Sequence, residues 1–102
     1  MKLFDLKDNI DYKLKRELID YYNLGFKYIV KNEGSKTLLL FSLKPRKREY
    51  YGWGYPDKYI ESPEALPVCM LYGEIESVRG TNKSPTLIEN LIGGALNEHI
   101  QR

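Results

Sequence analysis

The sequence predicts a single small α+β domain over residues 1–102, in which an antiparallel sheet of three to five strands packs against an N-terminal and a C-terminal helix. The length of 102 residues suits one domain with one modest core. Apolar residues recur at helical spacing near both ends of the chain, and between these ends they alternate with polar residues. A content of 42% hydrophobic and 29% charged residues is typical of a folded globular protein.

The first helix is expected at about residues 8–23. Apolar residues recur from Ile10 to Leu18 with a spacing that places them on one helical face. Asp8 or Asn9 is placed to cap the N-terminus, and Gly25 is a natural helix stop.

The sheet is expected over about residues 26–78, beginning with a hairpin. Residues 26–31 alternate with period two, and residues 32–35 are rich in turn formers. The apolar run within residues 36–43 predicts a strand that is buried on both faces and therefore central in the sheet.

In the rest of the chain the sequence predicts shorter secondary-structure elements. Residues 44–59 contain two glycines and two prolines and are predicted to be irregular, with a short strand near residues 50–53 at most. Ser62-Pro63 resembles the first turn of a short helix, and residues 68–72 and 74–78 are predicted to form one or two strands around Gly73. Ser84-Pro85 and the apolar stripe that follows predict a last helix at about residues 85–98, which Gly93-Gly94 is expected to end, kink or fray.

Composition narrows the class of protein. A net charge of +2 excludes a strongly acidic DNA mimic and does not by itself indicate nucleic-acid binding. The single cysteine excludes an internal disulfide and is typical of a reducing compartment. Charge appears too early for a signal peptide, and no apolar run approaches the roughly 20 residues of a membrane span. We therefore expect a cytoplasmic protein that does not contact the membrane.

Catalysis is not indicated by any motif. Cys69 lies in an apolar strand and His99 lies near the C-terminus, which favours a buried apolar thiol over a catalytic pair. The acids among residues 57–76 are the candidate ligands for a magnesium site, although such acids more often form a solvated face. Gly52-Trp53-Gly54 lacks the pattern of a phosphate loop. We expect no enzymatic activity, no cofactor and no bound metal.

Residues 44–59 are the candidate binding segment because they place cations next to aromatic side chains. The candidate binding residues are Lys44, Arg46, Lys47, Arg48, Tyr50, Tyr51, Trp53 and Tyr55. Tyr, Trp and Arg are the residue types of protein-interface hot spots, whereas cations with aromatics also bind phosphates and unpaired bases. A third interpretation is a solvated charge run with its aromatic side chains packed beneath it.

Charge is segregated along the chain. Residues 44–48 carry a local charge of +4, and residues 59–78 carry four glutamates and no base. Two patches of opposite sign can steer a partner or pair two copies of the chain. The apolar stripe of residues 87–96 offers a second route to a homodimer.

Several segments resemble a group of short phage and prophage proteins from Gram-positive bacteria of low GC content. The resemblance covers about residues 25–78 and is carried by Gly25–Asn32, Leu40–Lys47, Gly52-Trp53, Ile60-Glu61 and Leu66-Pro67. Tyr72-Gly73-Glu74 stands where many members of the group place a tryptophan and acids. The group has no assigned activity, so the resemblance implies an origin and no catalytic residue.

Three hypotheses follow from the sequence. The first is a non-enzymatic phage accessory protein that binds a host macromolecule, most simply a host protein. An inhibitor of a host defence system, for example an anti-CRISPR protein, is one such accessory protein. The second is a small nucleic-acid-binding protein that uses the basic and aromatic residues 44–59. The third is an enzyme that uses the acids of residues 57–76 and a metal.

Overall fold

The computed structural model describes residues 10–93, in which helices cover one face of an antiparallel sheet and a separate hairpin packs on the other. In chain order the elements are helix α1 (Tyr12–Leu24), strands β1 (Tyr28–Lys31), β2 (Thr37–Phe41), β3 (Arg46–Arg48) and β4 (Gly52–Gly54), a 3-10 turn (Asp57–Tyr59), strands β5 (Cys69–Tyr72) and β6 (Thr86–Leu87), and helix α2, which is helical over residues 88–93. The predicted α+β class is confirmed: an antiparallel sheet packs against one helix from early in the chain and one from late in the chain.

Helix α1 begins later than the sequence predicts. The carboxylate of Asp11 accepts a hydrogen bond from the Leu14 backbone N–H at 3.4 Å, so Asp11 is the N-cap and Ile10 is not helical. Asp8 and Asn9, the expected caps, lie outside the described residues. At the other end Gly25 has a φ of 118°, and its left-handed conformation ends the helix as expected.

The main sheet has the strand order β5-β2-β1-β6, and every neighbouring pair is antiparallel. The hairpin of β1 and β2 pairs Ile29 with Leu40 and Val30 with Leu39. The central position predicted for β2 is confirmed, because β2 lies between β1 and β5.

Alternation along the strands sends side chains to two separate apolar clusters. The larger cluster lies between the sheet and the two helices. Its buried residues are Leu14, Leu18, Phe26, Ile29, Leu38, Leu40, Leu71, Ile75, Val78, Ile88 and Ile92. The smaller cluster lies on the opposite face of the sheet and consists of Val30, Phe41 and Trp53.

The strand predicted at residues 74–78 is wrong. Gly73 has a φ of 149°, and the Val78 N–H donates to the Ile75 carbonyl oxygen at 2.9 Å, so the segment turns instead of extending. Ile75 and Val78 both point into the larger cluster, three residues apart. The alternating pattern of the sequence therefore arises from a turn that buries Ile75 between two exposed glutamates.

Two predicted helix starts are also wrong. Residues 62–66 form turns: the Ala65 N–H donates to the Ser62 carbonyl oxygen at 3.2 Å, and the Leu66 N–H is shared between the Glu64 carbonyl oxygen at 3.1 Å and the Ser42 hydroxyl at 2.8 Å. Residues 86–87 form strand β6, in which Leu87 pairs with Tyr28, and helix α2 starts only at residue 88. The predicted helix residues 94–98 lie outside the described residues. No helix within residues 10–93 has the length and apolar character needed to cross a membrane.

Candidate functional site: the β3–β4 hairpin

The candidate segment contains a hairpin where the sequence predicts irregular chain. Strand β3 pairs with β4 so that Arg46 faces Gly54, Lys47 faces Trp53 and Arg48 faces Gly52. Residues 49–51 form the turn at its tip. The glycines, which read as breakers in the sequence, instead lie on β4 opposite the two arginines, where a two-stranded ribbon accommodates them.

The inner face of the hairpin is formed by Trp53 and packs on the sheet. Trp53 is 7% exposed and contacts the cluster that contains Val30 and Phe41. Its indole Nε1 has no hydrogen-bond partner among the described residues. Trp53 is therefore placed by apolar packing, which stabilises the hairpin and removes this aromatic ring from the surface.

Lys47 lies opposite Trp53 and holds the hairpin to a distant loop. Its ammonium group donates to the backbone oxygens of Gly80 and Asn82, both at 2.9 Å. It also lies 3.9 Å from a carboxylate oxygen of Glu33 and 5.9 Å from the centre of the Trp53 ring. This cation is thus engaged within the protein, and it is half-buried.

Asn32 anchors the hairpin from the β1–β2 turn. Its side-chain oxygen accepts a hydrogen bond from the Trp53 backbone N–H at 2.9 Å. Gly52, with a φ of 76°, lies so close that a Cβ there would be 2.7 Å from the Asn32 Cγ. In the sequence Asn32 reads only as a turn former, and no local signal indicates its contact with a residue 21 positions away.

Tyr55 is also a packing residue. Its hydroxyl donates to the Leu66 carbonyl oxygen at 2.7 Å and accepts from the Ser42 N–H at 3.0 Å. Its ring meets the Phe41 ring edge-on, with the centres 5.0 Å apart. Tyr55 thus ties the end of β2 to the segment that leads into β5.

The remaining candidate residues lie on the outside. Lys44 and Arg46 are exposed. Arg48 is exposed as well, with its guanidinium 3.1 Å from the Tyr55 carbonyl oxygen and 3.7 Å from the Asp57 carboxylate. The outer face of the hairpin is therefore cationic, with glycines opposite both arginines.

The tip carries the most exposed aromatic residues of the hairpin. Tyr50 and Tyr51 are 84% and 82% exposed. A cleft of about 370 Å³ lies between this tip and the turn that contains Asn32 and Glu33. The structure thus divides the eight predicted residues: Lys47, Trp53 and Tyr55 pack inward, whereas Lys44, Arg46, Arg48, Tyr50 and Tyr51 face outward.

The catalytic hypotheses rest on Cys69 with His99 and on the acids of residues 57–76. Cys69 is half-buried in β5, and His99 lies outside the described residues. Within residues 10–93, no three histidine, cysteine, aspartate or glutamate side chains are grouped so that they could hold a metal ion.

Comparison with known proteins gives no match to this chain: no protein-family model, no curated protein and no solved structure matches it.

Proposed function

We propose that the protein is a non-enzymatic phage accessory protein that binds a host protein through the tip of the β3–β4 hairpin. The observation that carries the proposal is the pair of adjacent tyrosines, Tyr50 and Tyr51, each more than four-fifths exposed on a hairpin whose opposite face is packed. Tyrosine offers a large apolar ring with a polar end, and it is enriched in interface hot spots.

The anchored stem supports this proposal energetically. Trp53, Lys47 and Asn32 hold the hairpin to the sheet and to the 80–82 loop. A tip that is already ordered loses less conformational entropy on binding than a free loop does. The backbone that carries the tyrosines is therefore anchored through its stem before a partner binds.

The size of the tip indicates what else the partner contacts. A tyrosine buries about 150–250 Å² and a standard interface about 800 Å² on each side, so two tyrosines supply less than about two-thirds of one side. Arg46 and Arg48, on the outer face of the same hairpin, are the adjacent residues that extend the surface. An acidic partner surface complements them.

The kind of host protein that the tip binds can be proposed more narrowly. The resemblance to phage and prophage proteins favours a host target in the bacterial cytoplasm, and a defence system is one such target. Blocking a defence enzyme, as an anti-CRISPR does, needs only a tight contact and no catalytic group.

Affinity capture from a lysate of a Gram-positive host tests the proposal, with and without nuclease treatment. The baits are the wild-type chain, a Tyr50→Ser/Tyr51→Ser variant and, as the matched control, Tyr12→Ser, which alters a tyrosine that is 72% exposed on α1. We expect a host protein that survives nuclease on the wild-type and Tyr12→Ser baits and is lost from the tip variant. Equal retention on all three baits contradicts the tip as the contact.

Nucleic-acid binding is the second candidate, and the exposure of Lys44 and Arg46 beside the stacking-competent Tyr50 and Tyr51 favours it. Lys47 and Arg48, two of the four cations among residues 44–48, already contact groups of the protein itself, which weakens the nucleic-acid candidate. This candidate requires a capture signal that disappears with nuclease. It also requires a log–log salt slope of about −0.7 to −0.9 per phosphate contact.

A further inference from the structure

Strand β5 lies at the edge of the main sheet. The strand order β5-β2-β1-β6 gives it a single neighbour, β2. Among residues 10–93 no strand pairs with its other side. An edge of this kind presents backbone N–H and C=O groups to which another strand can bond.

The direction of these groups follows from the end of β2. The backbone N–H of Ser42 donates to the Tyr55 hydroxyl, which in turn donates to the Leu66 carbonyl oxygen, so this N–H points toward the chain that leads into β5. Backbone groups alternate in direction along a strand. The groups of Phe41 therefore point toward β1, and those of Leu40 point toward β5.

The pairing register between β2 and β5 shows which backbone groups of β5 point toward β2. Leu40 pairs with Cys69, and Leu38 pairs with Leu71, so Cys69 and Leu71 bond to β2. The N–H and C=O groups of Met70 and Tyr72 consequently point away from the sheet. These two residues offer four backbone groups along the open edge.

Exposed apolar side chains accompany these backbone groups. Val68, Met70 and Tyr72 alternate along the chain and are 42%, 63% and 80% exposed. Between them, Leu71 points into the larger cluster and holds the strand in place. An open edge with alternating apolar side chains is the surface that accepts an extended peptide as an added strand.

A groove of about 460 Å³ lies between α1 and β5, on the side of the strand to which Leu71 points, and Met70 and Tyr72 also line it. Its lining includes the acids Asp11, Glu17 and Glu74 and one base, Lys13. Residues 59–78, the stretch of chain that contains β5, carry four glutamates and no base. A chain lying along this edge thus enters an acidic environment.

We infer that the open edge of β5 binds an extended segment of a partner protein in which lysine or arginine alternates with apolar residues. The apolar side chains contact Met70 and Tyr72, and the basic ones face the acidic groove on the other side of the strand. A second copy of this chain fits less well, because β5-to-β5 pairing brings two acidic grooves together. This inference uses different residues from the hairpin tip and does not rest on the proposed function.

Selection from a library of random displayed peptides tests the inference. The baits are the full wild-type chain, Met70→Pro and Met70→Val. Proline removes the outward N–H and is tolerated on the open side of an edge strand, whereas valine keeps that N–H and an apolar side chain. A fourth bait, Glu17→Gln/Glu74→Gln, removes acidic charge from the groove.

On the wild-type bait we expect enrichment of peptides that alternate basic and apolar residues. The enriched peptide should bind Met70→Val within about threefold of wild type and Met70→Pro about tenfold more weakly. The preference for basic residues should fall on the Glu17→Gln/Glu74→Gln bait, a result that does not depend on the proline variant folding. No enrichment, equal binding to Met70→Pro, or a wild-type dimer that Met70→Pro converts to a monomer would overturn the inference.

Discussion

The side-chain oxygen of Asn32 accepts a hydrogen bond from the backbone N–H of Trp53, with 2.9 Å between the two atoms. This bond joins the β1–β2 turn to strand β4 and fixes where the hairpin lies on the sheet. The Trp53 ring then fills the smaller cluster with Val30 and Phe41. The position of the exposed tip thus depends on a contact at the buried side of the same hairpin.

Replacing Asn32 by alanine is expected to lower the free energy of unfolding by about 1–3 kcal/mol, because the Trp53 N–H is left without its acceptor. Asn32→Asp is the control, since it keeps an oxygen at the same place. Urea denaturation followed by circular dichroism measures both variants. Equal stability of Asn32→Ala and wild type would show that this bond does not hold the hairpin.

Gly52→Ala is expected to destabilise the protein more than Gly34→Ala does. Both glycines have a positive φ, 76° and 78°, so both substitutions carry a similar backbone strain of about 1–2 kcal/mol. Only at Gly52 does the added Cβ meet the Asn32 side chain, whereas nothing lies within 4 Å at Gly34. The difference between the two unfolding free energies therefore isolates the close approach, and a difference of zero would contradict it.

Lys47→Met is expected to lower the unfolding free energy by about 1–3 kcal/mol, because it removes the charged donor that joins β3 to the Gly80 and Asn82 oxygens. The matched control is Lys44→Met, which removes an exposed lysine of the same segment and should change stability by less than about 0.5 kcal/mol. Chemical denaturation distinguishes them. Similar small effects at both positions would mean that Lys47 is only a surface charge.

The sequence predicts those parts of the fold that local patterns determine. The alternation in residues 26–31 and the apolar run that follows predict the β1–β2 hairpin and the central place of β2. Gly25 predicts the end of α1 because its left-handed conformation is a local property. Each of these signals is complete within a few residues of chain.

The sequence-based predictions are wrong where a contact with a residue far along the chain determines the local structure. Leu87 has the spacing of a helix residue, yet pairing with Tyr28 makes it a strand residue. Trp53 and Tyr55 are of residue types that are common at binding surfaces. In the structure, however, Trp53 packs against Val30 and Phe41, and the Tyr55 hydroxyl accepts a hydrogen bond from the Ser42 N–H. The candidate segment was identifiable from its composition, whereas the division between its packed and exposed side chains depends on the sheet beneath it.

Chemical denaturation of two variants tests most directly whether one hairpin has a packed stem and a free tip. We expect Tyr50→Ser/Tyr51→Ser to change the unfolding free energy by less than about 0.5 kcal/mol, since both rings are exposed. We expect Trp53→Ala to lower that free energy by about 3–5 kcal/mol, since the indole fills the smaller cluster. A tip variant as unstable as the Trp53→Ala protein would place the tyrosines in a packed environment and contradict their role as a binding surface.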